Sequence, residues 1–164
     1  MGDAKKDDMI TFRFWHRWLL GVSLYIVAFG FVLAVFPQSP LIDWCINAQV
    51  DPVFWQTAAM PEVAARFQAW VYGVLGATVA GWGVLMTFIV QIPFKRREPW
   101  AWKGLAGSFA VWYLIDTSLS AVYGVFFNVL FNTVLLLLVA VPLAFTRRAF
   151  SMGEKGRTHT GLRD

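Results

Sequence analysis

The sequence predicts an all-α, polytopic membrane protein: a four-transmembrane-helix bundle with short amphipathic helices in its outer loop. Three observations carry this. Charge is scarce, with 58% of the 164 residues hydrophobic and 15% charged, against about 25% charged in ordinary soluble domains. The charges are also missing in blocks. No Asp, Glu, Lys or Arg occurs from Trp18 to Ile42 or from Phe67 to Phe94, and Asp116 is the sole one from Gly104 to Thr146. A hydrocarbon core about 30 Å thick takes roughly 20 apolar residues of helix. The first two blocks therefore hold one span each, and the third holds two spans joined by a tight turn. Finally, Trp15, Trp18, Trp44, Trp55, Trp70, Trp100 and Trp102 flank these blocks, as interfacial aromatic belts do. Indole scores as mildly polar, which keeps the mean hydropathy at a modest +0.56.

The chain reads as a single membrane domain, residues 1–164, with spans at about 18–36, 66–92, 104–122 and 125–145. Residues 1–10 are polar and read as a frayed end. From Thr11 to Trp18 aromatic and basic side chains alternate, which suits a helix entering through the headgroup layer. Span one follows and Pro37 stops it. Its apolar run, Leu19 to Phe36, exceeds the 7–15 residues of a signal-peptide core and no small-x-small site closes it, so it reads as a retained span.

The outer loop, 37–61, offers two helix starts, Ser39-Pro40 and Asp51-Pro52, each a capping side chain followed by proline. Between them Ile42, Cys45, Ile46 and Val50 recur at helical spacing, opposed by Asp43, Asn47 and Gln49. Such helices lie on the outer surface, either as a covering connection or as a lid. Span two begins early, at Pro61-Glu62, and ends at Pro93. It carries two small-residue rows at four-residue spacing, Gly73, Ala77, Gly81 and Gly76, Ala80. Rows of this kind let helices approach closely in lipid, within the bundle or between copies. Tyr123-Gly124 turns span three into span four, and Pro142 lies near the end of span four.

Thirteen of the 14 basic residues fall on one side of this threading, in the N-terminal segment, the loop between spans two and three, and the tail, 147–164. Arg66 alone falls on the other side. The positive-inside rule then places both termini in the cytoplasm. The net charge of +4 is accordingly a topology signal and gives no reason to expect nucleic acid.

Asp116 stands about 9 Å below the outer end of span three. Asn128 and Asn132 share a face of span four, at about 4 and 10 Å below the same surface. Arg66 begins span two on that side. A carboxylate deep in a bilayer costs at least about 2.5 kcal/mol unless paired or solvated, so the expected site is an outer-leaflet cluster of Asp116, Arg66, Asn128 and Asn132, with Tyr72 or Tyr123 adding a hydroxyl. Such a cluster either pins helix register or binds a ligand, ion or proton.

Other chemistry is pruned by what the sequence lacks. No phosphate loop, nucleophile elbow or zinc helix occurs. His16 and His159 lie outside the apolar cores, and Cys45 is single. No cofactor, no metal and no catalytic residue is expected. Four-helix multidrug transporters of the small type are similar in size but carry their essential carboxylate in the first helix, where this chain has no acid.

Over residues 66–148 the chain resembles uncharacterised small bacterial inner-membrane proteins with four helices. The likeness rests on Arg66-Phe67 ahead of Tyr72-Gly73-Val74-Leu75-Gly76-Ala77, on Gly81-Trp82-Gly83 and Arg96-Arg97-Glu98-Pro99-Trp100, and on Asp116-Thr117 and Tyr123-Gly124-Val125-Phe126-Phe127-Asn128. It implies a bacterial inner-membrane bundle and no activity. The functional expectation is a non-catalytic accessory or scaffold protein. Its partners are the lipid bilayer and either another membrane protein or a second copy of the chain. The alternatives are binding or transport of a small molecule, ion or proton centred on Asp116, and a lipid-acting enzyme.

Overall fold

The computed structural model describes residues 2–55 and 60–158, with side chains described for 9–55 and 60–150. Every regular element among these is helical: α1 (Gly2–Val35), α2 (Pro40–Ile42), α3 (Ala48–Phe54), α4 (Glu62–Ile89), α5 (Pro99–Val122) and α6 (Phe126–Thr158). π turns at Asp43–Asn47 and Val90–Phe94 join α2 to α3 and extend α4. Four stretches are long and apolar enough to cross a membrane: Met9–Val35, Glu62–Phe94, Pro99–Val122 and Phe126–Phe150. The protein is an all-α, multi-pass membrane bundle.

The helices overshoot the expected spans. Residues 2–10 are helical where a frayed end was expected, α5 starts at Pro99 and not near 104, and α6 continues through the expected tail to Thr158. A charge ends an apolar run without ending a helix, because backbone hydrogen bonds continue in water and long basic side chains reach out of the lipid. Residues 1, 56–59 and 159–164, including His159 and the end of the tail, lie outside the described residues.

Prolines punctuate as their missing N–H demands. α4 and α5 begin at or next to Pro61 and Pro99, and a π turn, with its i→i+5 spacing, carries α4 past Pro93. In the outer loop Ser39 caps as expected, its Oγ accepting from the Ile42 N–H at 3.4 Å. Asp51-Pro52 does not start a helix. The chain is already helical there, Pro52 sits inside α3, and the Asp51 carboxylate accepts from Gln68 rather than capping a backbone N–H. Ile42 is buried and Asp43 and Gln49 are exposed, whereas Cys45, Ile46, Val50 and the opposing Asn47 are all half-buried, so the two faces separate only in part.

Two close pairs build the bundle, α1 with α4 and α5 with α6, and α1 also packs on α6. The first pair meets at backbone distance. A methyl group on Gly30 would stand 2.7 Å from the Gly76 carbonyl oxygen, and one on Gly76 would stand 2.6 Å from that of Gly30. Four residues along each helix, Ala34 and Ala80 complete the crossing. α4 and α5 meet through large rings, Trp82 lying 4.8 Å from Phe109 and 5.9 Å from Trp112 between centroids.

The basic end is closed by aromatic side chains from three helices. Phe12, Phe94 and Phe150 are buried, with centroids 4.7 to 6.1 Å apart. His16 donates from Nε2 to the Val90 carbonyl at 3.1 Å. The Trp18 indole donates to the Leu138 carbonyl at 3.0 Å, the acceptor whose usual i+4 donor is missing at Pro142. At the outer end Gly124, at φ +75°, makes the turn and lies against Val53 of α3.

Candidate functional site: a carboxyl cluster between α5 and α6

The outer turn creates the site. α5 ends in a Schellman motif, with the Val125 N–H bonded to the Ser120 carbonyl at 2.8 Å and the Gly124 N–H to Ala121 at 3.1 Å. Gly124 supplies the left-handed residue this motif needs. The short turn forces α5 and α6 into antiparallel contact, so Asp116 and Ser120, one turn apart, face Asn128 and Asn132, also one turn apart.

Their hydrogen bonds converge on one oxygen. Asp116 Oδ1 accepts from Asn128 Nδ2 at 2.8 Å, Asn132 Nδ2 at 3.0 Å and Ser120 Oγ at 3.2 Å. The single Ser120 hydroxyl proton is shared between that oxygen and the nearer Asp116 backbone carbonyl at 2.7 Å, and Ser120 Oγ accepts from Asn128 at 2.8 Å. Asn132 reaches Thr117 Oγ1 at 3.3 Å. Asn132 is 1% exposed and Asp116 is half-buried. Two carboxamides and a hydroxyl thus present their positive ends to a carboxyl group within the apolar layer, which offsets its desolvation with no basic partner among the described residues.

Of the four residues expected here, Asp116, Asn128 and Asn132 come together and Arg66 does not. Arg66 is exposed near the start of α4. α4 pairs with α1, its ring contacts to α5 come from Trp82, far along the helix from Arg66, and no hydrogen bond or ion pair joins Arg66 to Asp116 among the described residues. Tyr123 is exposed. Tyr72 belongs to a different network, donating to Asn47 Oδ1 at 3.0 Å, while Gln68 donates to Asp51 at 2.8 Å and Asn47 to Asp43 at 2.6 Å. These bonds tie the loop helices to α4 beside an open cavity of about 440 Å³ lined by Asp43, Asn47, Asp51 and Trp55.

The small residues also divide. Gly76 and Ala80 form the contact with α1, and Gly73 lies at its edge, where a methyl group would stand 3.8 Å from the Ala34 carbonyl oxygen. Ala77 and Gly81 face outward, with nothing within 4 Å of a methyl group placed on Gly81. The partner row, Gly30 and Ala34 on α1, escaped the sequence reading although it has the same spacing. Ser120 was legible as the residue four after Asp116. The loop network was not, because Asp43, Asn47 and Asp51 meet Gln68 and Tyr72 only once the loop folds back on α4.

Among the described residues no group of three His, Cys, Asp or Glu is placed to hold a metal ion. Compared with known protein families, curated proteins and solved structures, the chain matches none. The functional reading therefore rests on its own residues.

Proposed function

We propose that the protein is a non-catalytic accessory or scaffold protein of a bacterial inner membrane, with both termini in the cytoplasm. The observation that carries this reading is the convergence of Asn128, Asn132 and Ser120 on Asp116 Oδ1. The most costly group in the apolar layer serves as a tie between two helices, which is what a rigid platform needs. The distribution of basic residues supports the orientation. The outward row of Ala77 and Gly81 leaves room for another helix at close range.

The test is native mass spectrometry of a tagged copy from gently solubilised membranes. A defined assembly heavier than the 18.5 kDa chain is expected, and it should dissociate on Gly81→Leu while the helical content stays unchanged. A monomer at every detergent concentration would count against the reading.

A second reading, binding or transport of an ion or proton, is favoured by one detail: the cluster's bonds fall on Oδ1, leaving Oδ2 of a half-buried Asp116 as the open acceptor. Under this reading Asp116→Asn keeps the fold but abolishes an ion- or proton-dependent flux in vesicles. Under the scaffold reading no such flux exists to lose.

A further inference from the structure

On the basic half of the α5–α6 pair the two helices are bridged where the Trp102 indole donates to the Leu143 carbonyl at 2.8 Å, and a groove lies along the seam. Ala106 and Ala110 of α5 face Ala140 and Ala144 of α6 across a groove of about 380 Å³, floored by Phe109, Val139 and Leu143 and ending at Arg147. The larger floor side chains space the helices, and the short methyl groups of the alanines beside them leave the rest of the seam open. The floor residues are buried, whereas Ala110, Ala144 and Arg147 are exposed, so the groove opens sideways toward lipid.

Length and charge select the occupant. From Trp102 to Ala110 the groove follows α5 for about 12 Å, and from Arg147 to Leu136 it follows α6 for about 16 Å, at 1.5 Å per residue. Half of a hydrocarbon core about 30 Å thick is the depth of one leaflet. The apolar part thus matches an acyl chain entering from the basic side and stopping near the midplane. At its mouth stands the Arg147 guanidinium, a planar donor suited to a phosphate diester, beside Arg148 and Lys103 in the same headgroup layer.

We infer that the α5–α6 groove binds one anionic phospholipid of the basic-side leaflet, with an acyl chain against Ala106, Ala110, Ala140 and Ala144 and its phosphate at Arg147. The site does not include Asp116, which lies farther along the same helix pair, near the turn at Gly124. It gives the hairpin a lipid in place of the side chains it lacks.

Native mass spectrometry of the full chain in mild detergent tests this, with phosphatidylglycerol and phosphatidylcholine of equal chain length titrated separately. One phosphatidylglycerol should be retained at least about tenfold better than phosphatidylcholine. Arg147→Gln should remove that preference and Arg147→Lys should keep part of it. Ala144→Leu, which fills the groove from an exposed position, should reduce retention of both lipids with the melting temperature held or raised. Equal retention of the two lipids by the unaltered chain overturns the inference. So does a preference surviving Arg147→Gln, or unchanged retention in Ala144→Leu. A lipid-free dimer would assign the groove to a second copy instead.

Discussion

Single residues in this bundle act mostly by completing hydrogen bonds that lipid cannot supply. Pro142 removes the N–H that would serve the Leu138 carbonyl, and the Trp18 indole, 120 residues away, takes its place. Trp18→Phe keeps the ring's apolar bulk and loses the donor, so stability in detergent should fall by about 1–2 kcal/mol. In a Pro142→Ala background the same change should cost much less, because the backbone again supplies a donor. A double-mutant cycle by denaturant titration checks the coupling, and additive effects would show that Trp18 acts by packing alone. Arg97 is a second case. It sits at φ 59° at the left-handed position that ends the second span, and its guanidinium lies 4.5 Å from the Phe12 centroid. The backbone strain of about 1–2 kcal/mol opposes a cation–π attraction of about 0.5–1 kcal/mol at an exposed site. Arg97→Gly should therefore be neutral or mildly stabilising and Arg97→Ala destabilising, read as a difference in melting temperature between the two variants.

At the scale of elements, helix existence was legible and helix extent was not. Blocks without charge locate the four spans because desolvating a charge is costly at every position along a span. They say nothing of where a helix stops in water, so α1, α5 and α6 run past them. Three of the four expected site residues were equally legible: Asp116, Asn128 and Asn132 are related by a tight turn and by depth, both of which follow from local spacing. Arg66 was misplaced because depth alone does not say which helices are neighbours, and neighbour choice here is set by the Gly30–Gly76 contact. That contact yields its own prediction. Gly76→Val puts side-chain atoms where the α1 backbone lies, so the α1–α4 pair must separate, and a loss of about 2–3 kcal/mol or more is expected. Gly21→Val and Gly104→Val, at positions where a methyl group meets nothing within 4 Å, should stay within about 0.5 kcal/mol. Thermal unfolding of the three variants in one detergent makes the comparison.

For the whole molecule the two helix pairs are joined by α1 on α6 and fastened differently at each end. The basic end is apolar and aromatic, held by Phe12, Phe94 and Phe150, while the outer end is polar, held by the Asp116 cluster and by loop hydrogen bonds to α4. This asymmetry matches the asymmetry of charge, and together they distinguish the two ends of the bundle. With Cys45 replaced by Ser, a cysteine introduced by Trp44→Cys lies in the outer loop, where Trp44 is 76% exposed, and one introduced by Trp100→Cys lies at the basic end, where Trp100 is 56% exposed. If the basic end faces the cytoplasm, a membrane-impermeant maleimide added to intact spheroplasts should label the first within minutes and the second only after the membrane is permeabilised. The reverse pattern would place the basic loops outside, and comparable labelling of both before permeabilisation would mean that the chain is inserted in two directions, in which case thirteen basic residues on one side fail to orient it.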